Sequence, residues 1–256
     1  MNNIGTIPGS TTFIDFGCSN GNSIRVSEQM FGGPGIGIDI NDKKLSAARA
    51  AGFDARKVDL FADPLPENCV RFVSMIHVLE HLNSEQQVKA FLAQGVRAAR
   101  EFVMIRFPYF DADGVLAKHG RKFYHSDWHG HPMPLSTLQT YRCIRDIAGK
   151  KVREFHIAGR QRLEGEVEGI IPIEAPIDTT KAQAATYGTF NLYALDMRLY
   201  KELAAVIVLN NNPQLAPWVL SKMKVDPADI LVSCGESAWR VETGATPSAH
   251  EEPARG

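Results

Sequence analysis

The chain lacks any apolar run of the ~18 residues that a membrane-spanning helix needs, so no such span is expected. It also lacks net charge. Its 28 Lys and Arg against 29 Asp and Glu leave −1, giving no electrostatic case for nucleic acid or an anionic membrane as partner. Cysteine is scarce: Cys18, Cys69, Cys143 and Cys234 are scattered without metal-ligand spacing and read as reduced thiols, not a disulfide framework. The first residues carry neither the basic nor the apolar block of a secretory leader, so a cytoplasmic location is expected. No internal repeat is visible. Gly-x-Gly-x-x-Gly, the pattern of a pyrophosphate-binding turn, is missing from the one glycine turn placed to use it. What remains is a chain of 256 residues, 44% hydrophobic, long enough to bury a substantial core as one domain with additions.

That glycine turn lies in Thr12–Ser23. Phe13, Ile14 and Phe16 supply a short apolar strand with Asp15 near its carboxyl end. Gly17 and Gly21 then let the backbone turn and approach a ligand closely, because neither carries a Cβ. A helix is expected from about Ser23, its first N–H groups free. A second apolar strand, within Gly35–Asn41, ends in an acid at Asp39, 22 positions after Gly17. That is near the spacing of about 20 at which a βαβ unit sets a carboxylate against a ribose. A carboxylate suits a vicinal diol because it accepts two hydrogen bonds. Asn41 caps an alanine-rich helix closed by Gly52, and a third strand near 55–58 ends at Asp59.

The alternation continues. Val70–Ile76 is a near-continuous apolar strand of the kind buried in parallel sheets. Ser84–Gln87 has the form of a capping box opening a helix that carries Val88, Phe91, Leu92 and Val96. Phe102–Phe107 reads as a fifth strand stopped by Pro108, 135–148 as a helix, 152–157 as a sixth strand and 203–209 as the last. The expected fold is therefore α/β, a doubly wound, mostly parallel sheet of seven strands with an insertion before the last. A short helix is expected at Pro217–Met223, its proline in the first turn.

The motifs resemble those of the class I S-adenosylmethionine-dependent methyltransferases. The resemblance rests on Asp15-Phe-Gly-Cys-Ser-Asn-Gly21, Gly37-Ile-Asp39, Asp59-Leu60 and His77-Val-Leu-Glu-His-Leu82, in that order over roughly 11–110. The last string is similar to one found in ubiquinone-biosynthesis-type members. Ser19 departs from the family, which often has a third glycine there. The resemblance implies a Rossmann-like methyltransferase fold whose seventh strand is antiparallel. It implies S-adenosyl-L-methionine as cofactor, with Asp15, Gly17, Cys18, Ser19, Gly21, Asp39, Ile40, Asp59, Leu60 and Ile76 as its binding residues. An acid before the turn suits an amino group and a sulfonium better than phosphates, which argues against a nicotinamide dinucleotide. The organisation expected is a methyltransferase domain over 1–210, a C-terminal extension over 211–243 and a disordered tail over 244–256. The acidic, proline-punctuated insertion at 160–195 is expected to form a lobe over the substrate.

A second stretch is dense in chemistry. Four of the eight histidines fall within His119–His131, after the fifth strand, where loops border the crevice of an open α/β sheet. Three readings stay open. His125, Asp127, His129 and His131 could hold a divalent metal, a histidine could serve as general base beside Phe123, Tyr124 and Trp128, or the loop is simply polar. The spacing fits no single helical face or tight turn, so no metal site is expected. The activity expected is O-methylation of a small-molecule or sugar-like (glycan) acceptor by in-line transfer, with His77, His125 or His129 as base. Arg106, ending the fifth strand, stands where an acidic substrate group could meet it, or pairs at the surface. A non-catalytic cofactor-binding module and a metal-dependent enzyme built on the histidine loop are the alternatives. No nucleic-acid partner is expected, and no oligomeric state follows from the pattern.

Overall fold

A computed structural model of the chain describes residues 4–235. The tail expected at 244–256, and the end of the extension before it, lie outside the described residues. In chain order the strands and helices are β1 (Phe13–Phe16), α1 (Asn22–Phe31), β2 (Gly35–Asp39), α2 (Asp42–Ala50), β3 (Asp54–Lys57), β4 (Val70–Ile76), α3 (Glu85–Ala98), β5 (Ala99–Pro108) and α4 (Asp113–Lys118). They continue as β6 (Arg121–Phe123), α5 (Thr137–Ile147), β7 (Glu154–Leu163), β8 (Glu166–Val167), β9 (Ile170–Pro172), α6 (Lys181–Ala185), β10 (Phe190–Asn191), β11 (Leu199–Val208), α7 (Leu215–Lys222) and β12 (Ile230–Gly235).

One sheet dominates, in the order β12-β7-β11-β5-β4-β1-β2-β3. Strands β3, β2, β1, β4 and β5 run parallel, and β11 is antiparallel to both β5 and β7. The seven strands read from the sequence are all present, with β11 as the antiparallel one. An eighth, β12, extends the edge antiparallel to β7, so the strand at 199–208 is not the last. Strand β7 also runs to Leu163, well past the expected end near 157. Its continuation is polar because Arg160 and Arg162 are drawn into ion pairs with Glu202 and Asp229. Part of the expected 160–195 insertion is therefore sheet.

Alternation along the strands divides the core between the two sheet faces. Ile14, Phe16, Ile36, Ile38, Val73, Met75, Val103 and Ile105 pack with Val88 and Phe91 of α3 and Ile144 of α5. Phe13, Phe72, Phe102 and Met104 pack on the other face with α1, α2 and α7. The rings of Phe13, Phe72 and Phe102 stack across three adjacent strands, with centroids 4.9 and 4.8 Å apart. Gly35 makes room for this ladder, since a Cβ there would lie 2.1 Å from the Phe13 ring.

Helix starts follow the side-chain chemistry. Asn41 accepts from Lys44 N–H at 3.1 Å, and Ser84 accepts from Gln87 N–H at 3.3 Å. At the start of α3, Gln87 returns its bond to Asn83 rather than to Ser84, so the reciprocal box expected there is incomplete. Complete boxes form at Ser136/Gln139 and Thr180/Gln183.

Beyond β7 the chain builds a small lobe. Strand β9 pairs with β6, and β10 with β8. Among the described residues, no helix is long and apolar enough to cross a membrane.

Candidate active site

The carboxyl ends of β1, β2, β3 and β4 open onto one cavity of about 680 Å³. Parallel strands deliver their following loops to the same edge, and the crevice forms there. A second, smaller hollow beside Arg71, Glu101 and Trp218 lies near the opposite ends of β4 and β5, away from these loops.

The first wall is the turn after β1. Gly17 and Cys18 donate N–H bonds to Ile38 carbonyl oxygen at 2.8 and 3.0 Å, tying the turn to β2. Gly17 has φ +69, and a Cβ on it would fall 2.4 Å from Val78. Ser19, where the resembled family often has glycine, also takes a positive φ of 51. Its strain is offset by an N–H bond to Asp39 Oδ2 at 2.9 Å. Asp39 Oδ1 accepts from Asn41 N–H, also at 2.9 Å. Each oxygen keeps further lone-pair capacity toward the cavity it lines. Apolar Ile40, Val58, Leu60 and Phe61 flank it, with Ile40 and Phe61 largely exposed, so a flat hydrophobic ligand group has somewhere to lie.

Of the ten residues expected to bind cofactor, Gly17, Cys18, Ser19, Asp39, Ile40, Asp59, Leu60 and Ile76 line the cavity. Asp15 and Gly21 do not. Gly21 precedes α1 at φ +91 as a turn element. Asp15 is fully buried beneath the turn and accepts hydroxyl bonds from Ser23 at 2.5 Å and Ser74 at 2.7 Å. Burial pushes its carboxyl up to about 7; the two hydroxyl bonds oppose that rise and the nearby Asp39 charge adds to it.

An unfolded Asp releases its proton near 3.8, so the folded state holds more protons between about 4 and 7. The stability contributed by the protonated carboxyl is complete below about 4 and is lost as pH rises to about 7. His125, whose pKa burial pushes down to about 4, contributes an opposite slope over much of that window, so the measure is a difference. In chemical denaturation, the stability of wild type relative to Asp15→Asn should fall as pH rises, by at most ~1.4 kcal/mol per pH unit. A difference that stays constant there would mean that the carboxyl is ionised throughout.

The opposite wall carries the charge. His77 follows β4 with φ 52, a strained conformation for a non-glycine residue, and its N–H is fixed to Arg106 carbonyl oxygen at 2.8 Å. Its Nε2 lies 3.0 Å from Glu202 and its Nδ1 3.4 Å from Glu80. Burial works against protonation of this ring, but the two carboxylates outweigh it and hold the pKa up at about 9. Glu202 also accepts two bonds from Arg106, at 2.9 and 3.0 Å, and one from Arg160 at 2.7 Å. Burial alone would raise its pKa, yet His77 and Arg106 hold it far below the usual carboxylate range.

The histidines expected as bases fare unequally. His77 lines the cavity, but both its ring nitrogens face carboxylates, so neither is free to take a proton. His125 is buried away from the cavity wall, stacked 4.9 Å from the Phe123 ring, with Nε2 3.2 Å from Tyr109 carbonyl oxygen. Burial pushes its pKa down to about 4. His129 is exposed and bonds Asp178 at 2.8 Å, pinning the loop to the lobe. Neither His125 nor His129 is placed to act on a group in the cavity. Arg106, expected either at an acidic substrate group or in a surface pair, lines the cavity and is bound by Glu202. Sequence reasoning missed Glu202 and Arg160. Glu202 follows Lys201 at the head of an apolar run, and nothing local marks it as the acceptor of three cations.

Comparison with known proteins agrees with this geometry. Residues 14–101 match the family model described as a methyltransferase domain. No curated protein matches the chain. Among solved structures, the fold is similar to that of an S-adenosylmethionine-dependent methyltransferase from Archaeoglobus fulgidus (18% identical, 78% of this chain and 86% of that one, TM-score 0.53). It is also similar to the YcgJ protein of Bacillus subtilis (10% identical, 82% and 96%, TM-score 0.52). A third similar structure is the complex of the Haloferax volcanii Trm112 methyltransferase activator with a methyltransferase (16% identical, 80% and 85%, TM-score 0.50). The matched domain runs from β1 to the start of β5 and the sheet continues through an antiparallel β11, so the chain has the fold of these structures, with residues 14–101 matching a methyltransferase domain.

Proposed function

We propose that the enzyme methylates an oxygen of a small acceptor, one that is already anionic or readily ionised, held at the His77–Arg106 wall of the cavity. The carrying observation is the chemistry of the two walls. Asp39 and its apolar neighbours suit a ribose and a flat base on one side, while Arg106 and His77 face in from the other. When bound, S-adenosylmethionine supplies an electrophilic methyl group, so the protein's task is chiefly to align a nucleophile and exclude water. In this reading Gly17–Ser19, Asp39, Asp59 and Leu60 hold the cofactor, and Asp15 and Gly21 shape the turn from behind. His77, held protonated between Glu80 and Glu202, places a positive charge beside the acceptor oxygen and removes no proton from it, because both ring nitrogens are already directed at carboxylates. A sugar-like hydroxyl would need proton removal that His77 has no free nitrogen to perform. The lobe over 160–195 would cover the acceptor, a role favoured by the His129–Asp178 bond and the β6–β9 pairing that fasten it beside the loop. A cytoplasmic location suits the four cysteines, all free thiols.

The test is release of S-adenosylhomocysteine with panels of carboxylate, phenol, sugar and amine acceptors. Turnover confined to amines would overturn the reading. In an active pair, His77→Gln should lower kcat by ~10-fold or more, because it removes the positive charge that holds the anionic acceptor in line with the methyl group. His129→Ala should leave kcat within about twofold, since acid–base contributions run to ~10²-fold and above.

A further inference from the structure

Glu80 occupies an unusual position for a carboxylate. It lies in a 3-10 turn, Leu79–His81, after β4, and its side chain is 1% exposed. Both its carboxylate oxygens are buried without a hydrogen-bond partner among the described residues. Its nearest cation is His77 Nδ1 at 3.4 Å, an ion-pair contact and no more. Buried carboxylates are ordinarily paired and hydrogen-bonded, because leaving one unsatisfied costs several kcal/mol.

Two histidines complete the surroundings. His81 is the next residue in the turn, and His131 arrives from the loop after β6, fixed by its N–H bond to Trp128 carbonyl oxygen at 2.9 Å. Met133 N–H bonds Glu80 carbonyl oxygen at 3.2 Å and ties that loop to the turn. A Glu80 oxygen and one nitrogen of each ring all lie within 4.8 Å of one another. His81 Nδ1 lies 2.5 Å from Gly130 carbonyl oxygen, and His131 Nδ1 lies 2.8 Å from that of His125. A carbonyl only accepts, so each Nδ1 carries the proton and each Nε2 keeps its lone pair. Metal-binding histidines are held in the same way, the second ring nitrogen donating to a carbonyl that fixes tautomer and orientation.

We infer that Glu80, His81 and His131 form a three-ligand site for one divalent first-row cation, Zn²⁺ or a close relative. One carboxylate and two neutral imidazoles suit zinc, manganese or iron. Tetrahedral bonds of ~2.0–2.2 Å set ligand atoms about 3.3–3.6 Å apart, so the longest separation has at most about 1.5 Å to close, within reach of side-chain rotation. The site differs from the loop set weighed from the sequence: only His131 is shared, and the carboxylate comes from 51 residues earlier. His81 lines the cavity, so the open coordination positions would face the acceptor region. That consequence rests on the proposed function; the binding of the cation does not.

The test is calorimetric titration of chelator-treated, full-length protein with ZnCl₂, without cofactor or acceptor. One saturable site per chain is expected. Affinity should fall by more than the ~10–100-fold that loss of even an outer partner costs, both in Glu80→Gln and in His131→Ala. His129→Ala should bind as wild type does. No saturable site in wild type, or a site that survives both ligand substitutions, overturns the inference. Should a ligand variant lose its far-ultraviolet dichroism, Co²⁺ added to wild type decides. A visible d–d spectrum abolished by one equivalent of Zn²⁺ supports the site, and its absence sinks it. Titrating the same metal-free protein with S-adenosylmethionine reads the cofactor site separately, so failure of one assignment is not mistaken for failure of the other.

Discussion

Asp39→Ala is expected to weaken S-adenosylmethionine binding by ~10²–10⁴-fold, measured as a dissociation constant by calorimetry on the metal-free protein. The range follows from two hydrogen bonds to a charged acceptor at ~1.5–3 kcal/mol each, with ~1.4 kcal/mol per factor of ten. Part of the loss is indirect. The Asp39 carboxylate also holds Ser19 N–H and Asn41 N–H, and Ser19 needs that bond to stay at φ 51. Asp39→Asn separates the two contributions. Its amide oxygen can keep one backbone bond but cannot serve both N–H groups and a diol, so an intermediate loss is expected. Ser19→Gly relieves the backbone strain without touching the carboxylate, and should leave affinity within about threefold, the effect of ~0.6 kcal/mol. Wild-type affinity retained in Asp39→Ala would remove this residue from the cofactor site.

The cavity wall built from the turn after β1 and from β2 was legible in the sequence because its parts are local. Gly17 and Gly21 are demanded by backbone geometry, Asp39 follows at a set interval, and each closes or follows a short strand of mostly apolar residues. The sheet was legible for the same reason from β1 to β5. Edge elements were not. Strand β12 alternates half-buried and exposed positions at the outer edge of the sheet, and its apolar run, Ile230–Val232, stops after three residues at Ser233. The end of β7 carries Arg160 and Arg162, charges that read as loop until Glu202 and Asp229 stand opposite. The histidine loop shows the limit most clearly. Its spacing led to His125 and His129, yet partners far away in sequence decide each fate. Asp178 takes His129, Tyr109 takes His125, and the turn at Glu80 meets His131.

Glu202→Ala should be among the most destabilising single substitutions in the chain. Glu202 sits in β11 opposite Pro108 of β5 and Arg160 of β7, and Arg106 reaches it from two positions earlier in β5. Its side chain and those of Arg106 and Arg160 are 13%, 10% and 9% exposed, so little water reaches the cluster. Removing the carboxylate leaves two guanidinium groups and the His77 ring without their shared acceptor. Breaking a buried pair from one side costs ~3–5 kcal/mol, because the remaining charge stays desolvated. At ~2–4 °C per kcal/mol for a domain of this size, Tm should fall by ~6–20 °C. The pH dependence gives a sharper signature. The folded pKa of Glu202 lies far below its ordinary carboxylate value of 4.5, so the unfolded chain binds the extra proton as pH falls. The stability it contributes is therefore complete above about 4.5 and is lost below, on the way down to the folded pKa. Wild type should lose stability steeply in acid, while Glu202→Ala, already destabilised at pH 7, should lose less. Urea midpoints at pH 7 and at about pH 3.5 measure both. Parallel acid losses in the two proteins would show that Glu202 is not the group that Arg106, Arg160 and His77 hold ionised.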